Sequence, residues 1–295
     1  RFDGEYRWFL ARALPQKDEK GTILKWFGTS TDIHDQKLSA DLLELKVEER
    51  TRELKQVNDQ LKQFTYAASH DLQEPLRKIS YFLDHLLAKL APTLTEDTKK
   101  IAERIQHTTG RMRNLIDDLL AYSNTTLGIT GFVDVNLNET VKDVLDDMEA
   151  TTIEIGASVN VQQLPTVKGD QRQLRQLFQN LVSNALKYHK KNSTPEVQIR
   201  SKLVQGKDID ADLPEISNEM TFHEIHVQDN GIGFDPDDAE RIFRIFQRLH
   251  GKAEYEGTGV GLAIVEKVVE NHHGYIWAES EPGMGATFKV LLPAD

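Results

Sequence analysis

Residues 180–188 read Asn-Leu-Val-Ser-Asn-Ala-Leu-Lys-Tyr, inside a stretch of helical periodicity over 170–189. Asn180, Asn184 and Lys187 stand at i, i+4 and i+7, so one face of that helix carries two amides and an ammonium. A solvated face would account for this set. So would a polyphosphate–metal site, because an amide oxygen suits a hard divalent cation that keeps its waters and phosphate ligands. Alone, the stretch leaves both readings open.

Three glycine-rich joints follow it. Asp229-Asn-Gly231-Ile-Gly233-Phe comes after a strand-like run. It reads as an ordinary Asn-Gly turn, or as a close backbone approach to a ligand with Asp229 as acceptor. Gly257-Thr258-Gly259-Val-Gly261-Leu262 opens an apolar helix over 260–272. Glycines there leave free N–H groups at the positive end of a helix dipole, where phosphate binds. The spacing is neither that of a Rossmann fingerprint nor that of a Walker A loop. Gly283-Met-Gly285-Ala-Thr287-Phe precedes the last strand and by itself is a turn. Around these joints the pattern predicts strands over 133–137, 158–164, 196–204, 224–229, 275–280 and 286–292. It predicts helices over 138–149, 170–189, 237–248 and 260–272, with an acidic, loop-like hairpin extension at 205–220. Such blocks with glycine joints predict an α/β sandwich.

Upstream the texture is helical. From Gln36, residues Leu43, Val47, Arg50, Leu54, Val57, Leu61, Phe64 and Ala68 alternate steps of four and three, a coiled-coil seam with one polar member. Leu72, Leu76, Ile79, Leu83, Leu86 and Leu90 form a second seam. Pro92 breaks the helix, Thr93 with Glu96 fits a capping box, and Ile101, Ile105, Thr108, Met112, Leu115, Leu119 and Tyr122 form a third seam. Two amphipathic helices joined by a short connection predict an αα-hairpin, and two chains would complete a four-helix bundle. The first two seams join one residue out of register, which relaxes the supercoil locally. That slip brackets Ser69-His70-Asp71-Leu72-Gln73-Glu74-Pro75. Pro75 has no N–H and crowds the carbonyl of residue 71, so a bend is expected one turn past His70. This weakened turn is read as a hinge.

At the N-terminal end, the aromatic and β-branched runs 6–14 and 22–32 flank a polar turn from Pro15 to Gly21, predicting a β-hairpin. Two strands alone are marginal in water, so they are expected to belong to a larger sheet. The chain opens on Arg1 within a strand-like pattern, which reads as a fragment or a trimmed product.

Of 295 residues, 39% are hydrophobic and 28% charged, as in a soluble protein with real cores. No run approaches the roughly 18 apolar residues of a membrane span. A formal charge of −11 disfavours nucleic acid or an anionic membrane as partner. Cysteine is absent, which excludes disulfides, thiolate zinc sites and cysteine nucleophiles and suits a cytoplasmic setting. His223-Glu-Ile-His226 resembles a zinc motif, but its spacing is i, i+3 on a strand, and His272-His273 falls at a helix end before Gly274.

Taken in order, the Asn180–Tyr188 helix, the three glycine joints and the aromatic pair Phe243 and Phe246 resemble the catalytic domain of sensor histidine kinases. The stretch from Phe64 to Ile79 resembles that family's H-box, and residues 5–35 look like the C-terminal strands of a PAS sensor domain. The resemblance implies an α+β multidomain chain. Its parts would be a PAS fragment over 1–35, a coiled-coil linker over 36–66, a helical hairpin over 67–130 and an ATP-binding α/β sandwich over 131–295.

By that resemblance, His70 takes the γ-phosphoryl group of ATP, and Asp71 orients or deprotonates the imidazole. Asn184 holds Mg²⁺, Asn180 neighbours the phosphates, Lys187 contacts phosphate, and Tyr188 the ribose or base. Asp229 reads the adenine amino group, with Gly231 and Gly233 allowing close approach. Gly257, Thr258, Gly259, Gly261 and Leu262 shape the end of an ATP lid over 234–256. Arg248 reaches the γ-phosphate, with Arg244 and Lys252 adding positive charge, and Thr287 lines the adenine pocket. The implied partners are a second copy and a response-regulator receiver domain.

One departure stands out. Many relatives carry Thr or Asn four residues after the histidine, proposed to position water for dephosphorylating the partner, where this chain has Glu74. A carboxylate repels a phosphoryl group, so weak or absent phosphatase activity is expected. Two other classes compete with the kinase reading: a gyrase- or MutL-like ATPase without phosphohistidine, and a non-catalytic dimeric scaffold. The H-box argues against the first, and the intact Asn184, Asp229 and glycine joints argue against the second.

Overall fold

The structure is a computed structural model. It describes the chain except residues 1–3, 5, 91–94, 128–130, 192, 210–215, 250–254, 256 and 295, and except the side chains of 62, 64, 66, 126 and 127. Pro92, Thr93, Lys252 and the Phe64 side chain therefore lie outside the described residues. The chain divides into two compact units, 1–61 and 62–295.

In the first unit β1 (Phe9–Lys17) pairs antiparallel with β2 (Ile23–Asp32). The expected turn is shorter than predicted, because β1 continues through Pro15 to Lys17, with Pro15 opposite Trp26. A two-stranded ribbon tolerates proline where its missing N–H would face outward. Asp18 closes the turn by accepting from the backbone N–H groups of Lys20 and Thr22. Trp8, Leu14, Leu24 and Trp26 are all more than half exposed. The ribbon thus buries neither face.

Helix α1 (His34–Leu90) is one continuous helix that runs through Pro75. Helix α2 (Glu96–Leu127) opens beside Thr95, whose hydroxyl accepts from Thr98 N at 3.3 Å. Thr95 therefore stands at the start of α2, where the sequence reading had placed Thr93. Gln73 Nε2 donates to Asp117 Oδ1 at 2.6 Å, and Gln106 Nε2 donates to Asp84 Oδ1 at 2.7 Å. Eleven residues forward along α1 match eleven back along α2, so the two helices are antiparallel in one register.

The burial pattern revises the predicted seams. Facing inward are Ser69, Gln73, Leu76, Ser80, Leu83 and Leu87 from α1, and Ala102, Thr109 and Ile116 from α2. Leu72, Ile79, Leu86, Ile101, Ile105 and Met112 remain exposed. Leu76, Leu83, Leu87 and Ile116 share the intrachain contact with the small or hydroxyl residues Ser69, Ser80, Ala102 and Thr109, and a second set of apolar residues is left on another face.

The remainder is a sandwich of sheet and helices. Its elements are β3 (Val133–Asn136), α3 (Leu137–Asp147), α4 (Glu149–Glu154), β4 (Ser158–Val161), β5 (Thr166–Gly169) and α5 (Gln171–Lys187). They continue with β6 (Glu196–Gln205), β7 (Thr221–Asp229), α6 (Gly261–Asn271), β8 (Tyr275–Glu281) and β9 (Gly285–Pro293). The main sheet has the order β4-β6-β7-β9-β8, with β4 parallel to β6 and every other pair antiparallel. β3 and β5 form a separate two-stranded ribbon, and neither β5 nor α4 was predicted. The helix predicted over 237–248 is instead two short 3₁₀ turns, Pro236–Asp238 and Arg241–Phe243.

One core joins α3, α5 and α6 to one face of the sheet. Phe178, Leu181, Ile199, Ile225, Ile264 and Val290 are all effectively excluded from solvent there. Period-two alternation turns the intervening residues Arg200, His226 and Lys289 to the opposite face. Helix α2 lies along α6, where Asn271 Nδ2 donates to Thr125 O at 2.6 Å and to Gln173 Oε1 at 3.0 Å.

Candidate nucleotide and phosphoacceptor sites

Helix α5 is held from its first turn. The Asp170 carboxylate caps it, accepting from Arg172 N at 3.0 Å and Gln173 N at 3.3 Å. Asp170 N in turn donates to His272 Nε2 at 3.0 Å, and His272 Nδ1 donates to Val268 O at 2.7 Å. Both ring nitrogens are thus satisfied by a neutral imidazole, and burial pushes the His272 pKa below its ordinary value. At the helix end where the sequence placed it, His272 is therefore a structural residue.

The apolar positions of α5 enter the core, which leaves Asn180, Asn184 and Lys187 on its flank. Asn180 Nδ2 donates to Gln176 O at 2.9 Å, aiming its Oδ1 at the start of α6. A Cβ on Gly261 would come within 2.7 Å of that oxygen, so the two elements meet this closely only at glycine. A Cβ on Gly257 would likewise run into Lys187 Nζ, and Gly257 adopts φ +155. Lys187 Nζ donates to Tyr188 OH at 2.9 Å and lies 4.3 Å from that ring's centre. The asparagine helix and the glycine segment, 77 residues apart between Asn180 and Gly257, are thereby neighbours.

Beside them is a cavity of about 90 Å³, against the roughly 10–15 Å³ that holds one water. Of the predicted site residues, Asn184, Tyr188, Asp229, Gly233, Arg248 and Leu262 line it. Asp229 Oδ1 accepts from Gly231 N at 2.8 Å and from Ala286 N at 3.3 Å. Among the described residues no hydrogen-bond donor reaches its Oδ2, and the residue lines the cavity. Burial pushes the Asp229 carboxyl above the ordinary range, against the pull of the two backbone N–H groups and of Lys190. The Arg248 guanidinium donates to Tyr255 O at 2.5 Å, and the Tyr255 ring lies 5.2 Å from that of Tyr188.

Several residues differ from expectation. Thr287 does not line this cavity, because strand alternation puts Ala286 and Phe288 there and turns Thr287 to the other face. Ile232, Phe234, Ile242, Gln247 and Leu249 also line it and were not singled out in the sequence. Ile232 and Phe234 carry the signal of apolar character at a glycine joint, and Ile242, Gln247 and Leu249 carry no such signal. Phe243 belongs to the core, whereas Phe246 is exposed with φ 63, a strained value for a bulky residue. Phe246 N donates to Gly259 O at 2.9 Å, which ties this turn to the glycine segment.

On the hairpin, the His70 side chain is 68% exposed and its Nδ1 lies 3.4 Å from Asp71 Oδ1. In the Nδ1–H tautomer that proton is directed at this carboxylate and Nε2 carries the lone pair. Glu74 pairs with Lys78 at 2.6 Å, and that bond is the main reason its carboxyl is held below the ordinary value. His70, Gln73, Glu74 and Arg77 border a shallow depression apart from the Asp229 cavity.

An α/β sandwich with a glycine-flanked cavity, carried on a helical hairpin with an exposed histidine, defines a class that pairs a nucleotide-binding domain with a phosphoacceptor. Comparison with known proteins agrees. Residues 60–128 match the His Kinase A (phospho-acceptor) domain, and residues 169–295 match the domain of histidine kinase-, DNA gyrase B- and HSP90-like ATPases. The chain belongs to the sensor histidine kinases. It is 39% identical over 242 residues to the phytochrome-like protein Cph1 of Synechocystis sp., covering 82% of this chain and 30% of that protein. It is 28% identical over 258 residues to the sensor protein kinase WalK of Staphylococcus saprophyticus, covering 82% of this chain and 38% of that one. The fold resembles full-length ShkA, solved in complex with AMPPNP, with a TM-score of 0.57 and 22% identity over 78% of this chain and 45% of that one. The chain thus spans under a third of the length of Cph1.

Proposed function

We propose that this chain is the kinase core of a two-component sensor, which phosphorylates His70 from ATP and passes the phosphoryl group to a receiver-domain aspartate. The observation that carries the reading is an exposed imidazole whose Nδ1 is directed at Asp71, on the hairpin against which the glycine-flanked domain packs. His70 Nε2 attacks the γ-phosphorus, the bond from phosphorus to the β–γ bridging oxygen breaks, and ADP leaves. Asp71 takes up the Nδ1 proton as positive charge builds on the ring. Asp229, Tyr188 and the apolar wall around Phe234 hold the base. Lys187, Arg248 and the segment from Gly257 to Gly261 meet the phosphates. Leu262 packs beside them.

Among the described residues no three His, Asp or Glu side chains gather into a metal cage. Asn184, with Asn180 beside it, would hold Mg²⁺, because an amide oxygen suits that hard cation. Bound there, the ion neutralises charge on the transferring group. The domain limits follow the sequence reading: PAS fragment 1–35, coiled coil 36–66, phosphoacceptor hairpin 67–130, ATP domain 131–295. No described helix is long and apolar enough to cross a membrane, and the site of action is proposed to be cytoplasmic.

A second copy covers the face of Ile79, Leu86, Ile105 and Met112, completing a four-helix bundle. Ile79→Asp is expected to give monomers in light scattering, and a variant that stays dimeric would refute this face. The kinase reading is tested with γ-labelled ATP and Mg²⁺. Acid-labile, alkali-stable label absent from His70→Ala supports it. Phosphate release without label favours an ATPase, and neither product favours a scaffold.

A further inference from the structure

We propose that Asp118 of α2 is a latch that competes with the nucleotide's phosphates for the glycine segment preceding α6. The inference rests on the reading of that segment as a phosphate cradle. Thr258 Oγ1 donates to Asp118 Oδ2 at 2.5 Å. Thr258 stands between Gly257, which abuts Lys187 Nζ, and Gly259, and its hydroxyl also accepts from Val260 N at 3.4 Å. A hydroxyl, an ammonium and a helix N-terminus are the groups a polyphosphate would use. In this structure the hairpin's own carboxylate takes the hydroxyl and lies within the attraction of Lys187.

Charge makes the two occupants exclusive. Asp118 is half-buried, and burial pushes its carboxyl upward, with Asp117 acting in the same direction and the Thr258 bond and Lys187 opposing. A phosphate brought beside this carboxylate would meet a like charge in a partly desolvated place, so either the anion stays out or the latch opens. Opening need not release the domain, because the second attachment, Asn271 to Thr125, lies two turns further along α2 and uses none of the cradle.

The latch is also placed to feel the phosphoacceptor helix. Asp117, adjacent to Asp118, accepts from Gln73, which lies one turn beyond His70 on α1. Rotation of α2 relative to α1 would therefore move Asp118 against Thr258. The latch-closed state lowers apparent ATP affinity by the fraction of molecules held closed.

The test compares the full chain with Asp118→Ala, which keeps a strong helix former at the position. ATP and adenosine are each titrated against a bound fluorescent nucleotide. The expected result is ATP binding roughly five- to tenfold tighter in the variant, the range a single hydrogen bond commands, with adenosine unchanged. Unchanged or weaker ATP binding in the variant overturns the latch, provided the wild-type chain binds ATP. Equal tightening of ATP and adenosine also overturns it, since adenosine has no phosphate to compete. A wild-type chain that binds neither overturns the nucleotide reading itself and the latch with it.

Discussion

Asp229→Asn separates the charge of the cavity carboxylate from its shape. In the wild type Oδ1 is committed to two backbone N–H groups, Gly231 at 2.8 Å and Ala286 at 3.3 Å, so Oδ2 is the oxygen left to accept from a ligand in the cavity. In the variant the amide oxygen must keep those two donors, because leaving buried N–H groups unpaired costs about 1–3 kcal/mol. The amide nitrogen then faces the cavity as a donor. An adenine amino group, itself a donor, loses a charged hydrogen bond worth about 1.5–3 kcal/mol, or roughly a 10- to 150-fold loss in affinity. A base with a carbonyl at that position gains an acceptor for the new amide. Displacement of a fluorescent nucleotide should therefore show ATP binding at least about tenfold weaker, with inosine triphosphate now preferred over ATP. pH gives an independent reading. Burial raises the carboxyl pKa, and an amino donor would favour its ionised form, so wild-type ATP affinity is full above the free-state pKa and falls as pH drops through it. Asp229→Asn should lack that component. Equal affinities for ATP in the two proteins, with the same pH dependence, would refute the assignment of this carboxylate to the base.

Gly261→Ala places a methyl 2.7 Å from Asn180 Oδ1, and the asparagine side chain can turn away. Thermal unfolding should move only a few degrees, while ATP affinity falls about tenfold. His272 gives a stability signature. Its folded pKa is depressed by burial, so the neutral form's contribution is fully present above the unfolded value of about 6.5 and is lost as pH falls below it, at about 1.4 kcal/mol per pH unit. His223 and His226 shift in the same direction, so the His272 share is the part of the acid slope that disappears in His272→Gln. Glu74→Thr, which frees Lys78 and removes a carboxylate one turn from His70, should speed dephosphorylation of a phosphorylated receiver domain. A rate no faster than wild type would remove Glu74 from the explanation.

Local pattern was enough for the elements with strong periodicity. The 3.6 period of α5 and α6, the alternation of β6 and β9, and the glycine joints placed most of the sandwich. Reading failed where local preference was weak. The segment over 237–248 carries apolar residues at helical spacing, yet it turns twice as 3₁₀, since Gly259 captures Phe246 N and the chain must fold back on α6. The hairpin seams were read as single stripes, whereas burial divides each helix between an intrachain face and an exposed one.

What the sequence by itself determined is therefore the set of chemical groups and the elements that carry them: an imidazole with an adjacent carboxylate, two amides and a lysine on one helix flank, and glycines before another. Their meeting was decided only in three dimensions. Asn180 reaches Gly261 because the core packs α5 against α6, and Thr287 faces away from the cavity because β9 spends its inward positions on Ala286 and Phe288. The bond between Asp118 and Thr258 joins residues 140 apart in the chain. No periodicity foretells it, because a single hydrogen bond between a helix flank and a glycine-rich segment depends on how the two dock.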